Sequence, residues 1–337
     1  MALRHSKKRL ELLPFEEASA RSIPLPRDRY IKWLDCFFSA SLVITGGSGA
    51  GDPAEDGVLK LFRNISVIAD GVKALFNVPL KIHYFKNTFE FGTRPHVLDP
   101  TDDAAATYPI CVFFRIDFQN NAGIKRCDSY LPAPFFKSLD LIVDWANIGV
   151  MFDNAVDYTA AAISNAYGLR VVVHQTTEPA PKFTRLQGVI EREITANTRE
   201  FIIDLPVHDR IYQNFVFRTD IENATADPIR SNAVVSVLDL VTDESFYHIN
   251  KLPWTQHQHA NKLEHSLESL YDGAVLDAMT IDGLMYLDML EDGRIPSGLN
   301  VFDTNTARLI HDVTVGAYAT RLLIEHDAMV PIETITS

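Results

Sequence analysis

Leu25-Pro26-Arg27-Asp28-Arg29-Tyr30 is answered in the second half of the chain by Leu205-Pro206, Arg210 and Tyr212. Each opening leads into a β-rich stretch, a loop and a strand-like run, Asn64-Ile65-Ser66-Val67-Ile68 or Asn232-Ala233-Val234-Val235-Ser236-Val237. Each run is followed by a second proline pair, Val78-Pro79 or Leu252-Pro253. The Leu-Pro pairs lie 180 residues apart and the second proline pairs 174 apart, a mismatch that one short loop absorbs. The halves also close alike. Ala166-Tyr167-Gly168-Leu169-Arg170 precedes Val171-Val172-Val173-His174, and Ala317-Tyr318-Ala319-Thr320-Arg321 precedes Leu322-Leu323-Ile324-Glu325-His326. The order predicts two similar β domains in tandem.

Working outward, Ile31 to Ile44 is rich in aromatic and β-branched residues and ends at the loop Gly46-Gly47-Ser48-Gly49-Ala50-Gly51-Asp52-Pro53. Leu59 to Ala69 alternates partly and closes on Asp70-Gly71, a hairpin-type signal leading to Lys73–Val78. After each second proline pair the texture turns helical, over Lys81–Phe91 and Thr255–Tyr271, the latter with Leu263, Leu267 and Leu270 at helical spacing. Ile110–Phe118 and Met285–Leu290 then read as corresponding strands. Two strands, Leu186–Ile194 and Glu200–Asp204, are predicted around the turn-prone Thr195-Ala196-Asn197-Thr198. Short strands separated by loops, with few helices, fit antiparallel sandwiches, and eight-stranded jelly rolls fit best because they tolerate inserted helices. The expected fold is all-β, two tandem eight-stranded jelly-roll β-sandwiches. The expected divisions are a basic, amphipathic amino-terminal helix or arm at 1–20, a first jelly roll at 21–183, connecting strands at 184–204 and a second jelly roll at 205–337.

With 337 residues the chain is long enough for two such cores. Its net charge of −13 argues against neutralising nucleic-acid phosphates over a large surface, so sequence-specific nucleic-acid binding is not expected. The amino terminus is the exception, with Arg4, Lys7, Lys8 and Arg9 in a stretch without acids. Three cysteines, Cys36, Cys111 and Cys127, have no metal-type spacing, which predicts synthesis in a reducing cytoplasm without a disulfide framework. No apolar run is long enough to span a membrane and no signal-peptide core follows the basic cluster.

Candidate chemistry is thin. The Gly46–Gly51 loop lacks the Gly-Lys-Ser/Thr ending of a phosphate cradle. His257, His259 and His265 cluster with Glu264 and Glu268, yet no His-Glu-x-x-His pattern is present, and a solvated or capping role is expected. Nine acids against one base, Arg294, between Glu264 and Thr304 read as a solvent-facing acidic surface rather than a sugar-cleaving pair. No serine or cysteine nucleophile signature appears. Arg29-Tyr30 and Arg210 with Tyr212 are expected to anchor the first strand of each sandwich, the tyrosine burying its ring. Trp33, Trp145 and Trp254 are expected to be buried, which disfavours a spike or lectin-like binding module. No catalytic residue, cofactor or metal is assigned.

Taken together, Leu25 to Tyr30 opening a strand, Asp56-Gly57-Val58-Leu59-Lys60-Leu61-Phe62-Arg63-Asn64-Ile65 leading into Ala69-Asp70-Gly71, and their second-half echoes resemble the double jelly-roll major capsid proteins of tailless icosahedral viruses, particularly phages with an internal membrane. The resemblance covers about residues 18 to 332. It implies a structural, non-enzymatic protein of the virion, a homotrimer forming pseudo-hexameric capsomers that contact neighbouring capsomers and minor capsid proteins. It also implies an amino terminus turned toward the internal membrane, where Arg4, Lys7, Lys8 and Arg9 meet anionic lipid. The first half departs by being longer after its second proline pair, with Asp99–Tyr108 and Tyr130–Phe136 expected as loops of its own. A two-sandwich carbohydrate-active enzyme or amidase is the alternative, since jelly rolls host such chemistry as well.

Overall fold

A computed structural model describes residues 5–47, 53–101, 104–119, 126–152, 158–164, 168–177, 181–222, 228–265, 282–290, 298–316 and 318–336. The chain divides into two compact units, the first comprising Met1–Tyr84, Pro95–Gly188 and Pro331–Ser337, the second Phe85–Arg94 and Val189–Val330.

In the first unit the strands are β1 (His5–Arg9), β2 (Leu13–Pro14), β3 (Ala20–Pro24), β4 (Tyr30–Gly47), β5 (Phe62–Ala69), β6 (Lys73–Val78), β7 (Val97–Leu98), β8 (Thr107–Asp117), β9 (Leu139–Trp145), β10 (Tyr158–Ile163), β11 (Gly168–Thr176) and the start of β12 (Phe183–Ile194). One sheet runs β1-β11-β4-β8-β7 and the other β3-β9-β5-β6. Between them lies an aromatic core. The Trp145 ring centroid stands 4.6 Å from Phe62, 5.2 Å from Phe15 and 5.4 Å from Phe38. The alternation of Leu139, Leu141, Val143 and Trp145 turns these β9 side chains inward and the intervening ones toward solvent.

The second unit repeats the plan with β13 (Thr198–Leu205), β14 (Ile211–Glu222), β15 (Pro228–Arg230), β16 (Val235–Thr242), β17 (Phe246–Pro253), β18 (Leu284–Asp288), β19 (Leu299–Asn300), β20 (Ala307–Val313) and β21 (Thr320–Pro331). One sheet runs β13-β20-β16-β17, matching β3-β9-β5-β6; in the other, β14 lies between β21 and β18, as β4 lies between β11 and β8. Its core gathers Tyr212, Phe215, Phe217, Leu238, Leu240, Trp254, Leu322 and Ile324.

Small devices recur at corresponding places. The β5–β6 turn carries Asp70 and Gly71 at φ 52° and 74°, the pairing of a type I′ hairpin, and the β16–β17 turn carries Asp243 and Glu244 at φ 48° and 65°. Asp70 N–H donates to Ser138 O at 3.0 Å while its carboxylate accepts from Lys137 N; Asp243 N–H donates to Thr306 O at 3.0 Å while its carboxylate accepts from Asn305 N. Each second proline pair is followed by a helix, and with the short α1 (Gly57–Lys60) before them these are α2 (Leu80–Phe91) and α3 (Trp254–Glu264). The ring Nε2 of His83 in α2 lies 2.7 Å from Arg115 O, and that of His257 in α3 lies 2.8 Å from Tyr286 O. A last short helix, α4 (Ile332–Thr336), ends the described chain.

Three elements differ in detail from expectation. Of the expected helix or arm, residues 5–9 take the extended form, an edge strand, because their backbone groups pair with β11. Leu59 and Lys60 belong to α1, so the strand begins at Phe62. Helix α3 ends at Glu264, its C-cap at His265, and the expected continuation through Leu267 and Leu270 lies outside the described residues. The Ala166-Tyr167 echo and Ala317 also lie outside them.

Candidate assembly surfaces

The basic amino terminus is ordered by strand pairing. β1 sets Lys7 opposite His174, Lys8 opposite Val173 and Arg9 opposite Val172. Directly opposed residues share a sheet face, so Lys7 and Arg9 join the outer face with His174 and Val172, while Lys8 lies on the other side of the edge strand. The three cations are exposed but do not form one patch, and Arg4 lies outside the described residues.

That outer face of β4, β8 and β11 carries a cluster of aromatic and charged side chains. Trp33 stacks on His174 with centroids 4.4 Å apart, and Lys32 and the Arg115 guanidinium stand 4.7 Å and 4.9 Å from the Trp33 ring. Asp35 links the set, accepting from Arg115 Nε at 2.7 Å and lying 2.8 Å from His174 Nε2. Burial pushes the His174 pKa down, opposed by the Asp35 carboxylate. Phe37 sits opposite both Arg170 and Phe113 in the next rung. Trp33, Phe37, Phe113, Arg115 and Val172 are half-buried. Trp33 thus corrects the expectation of three buried tryptophans; Trp145 and Trp254 meet it, at 0% and 1% exposure.

The corresponding face of the second unit, on β14 and β21, is sealed. The second half of α2 lies over it. Lys86 Nζ stands 2.5 Å from Asp327 Oδ1 and 3.3 Å from Glu325 Oε1, and all three side chains are wholly buried. Arg218 donates to Asp220 at 2.8 Å with its guanidinium 5.8 Å from the Phe85 ring. Nothing in the local sequence marks Lys86 as buried, since its partners lie 241 residues away along the chain for Asp327.

The remaining sequence candidates are separate and structural. Tyr212 is fully buried, stacks on Phe215 at 5.1 Å and donates to Pro206 O at 2.7 Å; burial pushes its hydroxyl pKa up to about 12. Tyr30 is half-buried, edge-on to Phe135 at 6.4 Å, and Arg29 donates to Ser6 Oγ at 3.0 Å. The anchoring reading therefore holds fully for the second tyrosine and partly for the first. His259 is exposed, and His265 packs edge-on against Tyr286 at 4.8 Å. Among the described residues no group of His, Cys, Asp and Glu converges on a metal position. Of the acidic stretch, Asp282 accepts from Asn232 at 2.7 Å and Asp288 from Leu290 N at 2.8 Å. Glu268, Asp272, Asp277, Glu291, Asp292 and Arg294 lie outside the described residues, as do Ser48–Asp52 of the glycine-rich loop. Cys36 and Cys111 are buried free thiols whose pKa values burial raises. No helix among the described residues is long and apolar enough to cross a membrane.

No family model and no curated protein matches the sequence. Solved structures do match in fold. The major capsid protein of Sulfolobus turreted icosahedral virus superposes with a TM-score of 0.73 at 12% identity, covering 97% of each chain. The major capsid protein P2 of bacteriophage PM2 gives 0.60 at 13% identity over 97% of this chain and 98% of its own. The PBCV-1 virus capsid gives 0.59 at 9% identity over 98% and 95%. The chain has the double jelly-roll fold of these capsid proteins.

Proposed function

We propose that this chain is a structural major capsid protein of an icosahedral virion, not an enzyme, and that three copies form a pseudo-hexameric capsomer. The observation that carries the reading is the matched strand order of the two units, β3-β9-β5-β6 with β13-β20-β16-β17 and β11-β4-β8 with β21-β14-β18. A chain that repeats one sandwich twice presents six near-equivalent wedges when three copies close a ring, and closed rotational symmetry gives a capsomer of fixed size. The full-length likeness to capsid proteins supports the same reading. Function then resides in buried interfaces spread over whole faces. Capsomers would next meet one another and minor capsid proteins.

Light scattering on the purified chain tests this directly: trimers whose negative-stain outline is hexagonal are expected, and a strict monomer at high concentration rejects it. The membrane-facing role of Arg4, Lys7, Lys8 and Arg9 belongs to the same proposal. Each cation near an anionic surface contributes about 1 kcal/mol. Replacing all four with Ser should abolish flotation with phosphatidylserine vesicles while leaving trimers intact; undiminished flotation rejects the role.

A further inference from the structure

The two units differ in how one face is covered, and the difference identifies a contact between copies. The conserved geometry of the repeat fixes the correspondence. His83 and His257 bond the carbonyls of Arg115 and Tyr286, so those two positions are equivalent. Arg115 pairs with Asp35, which pairs with Val172; Tyr286 pairs with Val216, which pairs with Glu325. Counting along the strands, His174 corresponds to Asp327 and Phe37 to Arg218. Counting along the helices from Pro79 and Pro253, His259 corresponds to Phe85, Ala260 to Lys86 and Leu263 to Phe89.

In the second unit the helical set is buried on the strand set. Phe85 lies by Arg218, Lys86 between Glu325 and Asp327, and Phe89 stacks on Tyr286 at 5.3 Å. Most of the equivalent positions are open elsewhere in the chain: Leu263 is 72% exposed where Phe89 is 2% exposed, His259 is exposed, and Phe37, Val172 and Arg115 are half-buried, while His174 is buried beneath the Trp33 ring. Their chemistry has changed in step. The cation Lys86 is replaced by Ala260, and the two carboxylates it neutralises are replaced by Val172 and His174. The pair of Phe85 with a guanidinium is replaced by two rings, His259 and Phe37, which match without a buried charge. Had only one side lost its charge, docking would bury an unpaired ion, which is strongly disfavoured.

We propose that α3 of one copy lies on the outer face of β4, β8 and β11 of a second copy, with His259 against Phe37, Ala260 against Val172 and His174, and Leu263 against Arg115. The contact is heterologous, since each chain offers the helix at one place and the sheet at another, and repetition closes a ring. It rests on the trimer reading above and names the surfaces that reading leaves open.

The test uses the full chain with Cys127→Ser, carrying Ala260→Cys and Val172→Cys. After treatment of purified trimers with a bis-maleimide long enough to bridge the gap that the Lys86 side chain spans in the second unit, a covalent three-chain species is expected on a denaturing gel. Trimers by light scattering that run as single chains on that gel overturn this contact while sparing the capsid reading; absence of trimers in the unsubstituted protein overturns both. Independently, Ala260→Lys should weaken trimer association at least tenfold, and adding Val172→Glu with His174→Asp should restore it by rebuilding the Lys86 triad between copies. Unaltered association of the Ala260→Lys chain overturns the proposal.

Discussion

The first unit seals its sandwich with aromatic rings and leaves one sheet face half open; the second fills the corresponding face with ions and shuts it. Trp145, Phe62, Phe38 and Phe15 pack ring to ring in the first. Lys86, Glu325, Asp327, Arg218 and Asp220 are all but completely buried in the second. One backbone plan therefore supports opposite solutions on the same face. A buried ion network adds little net stability over apolar packing but penalises any broken partner severely, so it specifies one arrangement of α2 on its sheet. A half-open aromatic face is tolerant alone and suited to a partner.

The largest expected effect breaks that contrast at Lys86. Lys86→Met removes the buried cation that bridges two carboxylates and should cost about 3–5 kcal/mol in urea unfolding. His174→Gln at the equivalent of Asp327 should cost no more than about 1 kcal/mol, because its partner Asp35 is partly solvated. Trp254 fluorescence reports the second unit and Trp33 and Trp145 the first, so the two losses are separable. Equal losses would dissolve the distinction between the faces.

Acid should expose the same contrast. His311 is fully buried in the second core, 5.8 Å from Phe217, and burial alone lowers its pKa to about 3. Burial likewise lowers His326 to about 4, with Arg210 and Lys86 adding to the shift and Asp327 and Glu325 opposing it. An unfolded histidine titrates near 6.5, so both groups are neutral in the fold and take up protons on unfolding. Their stability is complete above about pH 6.5 and is lost as pH falls toward 4, by on the order of 3 kcal/mol for His311 alone. His174 shifts in the same direction in the first unit, but there both the charge of Asp35 and its hydrogen bond oppose the shift. The Trp254 signal should consequently unfold at higher pH than the Trp145 signal, and His311→Leu should move it to lower pH. Coincident acid transitions, unaltered in the variant, would refute this.

The paired helix histidines offer a finer comparison. His83 is 1% exposed and His257 half-buried, each holding one strand carbonyl. His83→Ala should cost about 2–3 kcal/mol and His257→Ala about 1 kcal/mol, because Tyr286 O keeps its bond from Asn261 Nδ2 at 2.8 Å when His257 is removed.

Much of this plan is legible in the sequence because its signals are local. Asp70-Gly71 announces a turn, Pro79 and Pro253 announce helices, and alternation in Leu139–Trp145 announces a half-buried strand. What escapes is whatever depends on a distant partner. His5–Arg9 has no strand signature of its own and is extended only because β11 supplies its hydrogen bonds. Trp33 looks like a core residue by type, but its place in the alternation of β4 turns it outward. Lys86 sits among aromatic residues in α2, and only the fold brings Glu325 and Asp327 to it. The second turn escapes for a different reason: Asp243-Glu244 lacks the glycine that makes Asp70-Gly71 readable, though it adopts the same backbone.

That last mismatch sets the smallest effect and the sharpest local comparison. Glu244 holds φ 65° where its counterpart Gly71 holds 74°, a left-handed conformation costing a side-chain-bearing residue about 1–2 kcal/mol. Glu244→Gly removes that strain, but glycine also raises the entropy of the unfolded chain by about 0.5–1 kcal/mol, so the net gain should be about 0.5 kcal/mol. Gly71→Ala meets no nearby atom yet acquires the strain, and should lose about 1 kcal/mol. Thermal unfolding of the two variants should thus shift in opposite directions. If Glu244→Gly destabilises instead, the Glu244 side chain is holding the β16–β17 hairpin through a contact worth more than the strain, and the two turns are alike in shape only.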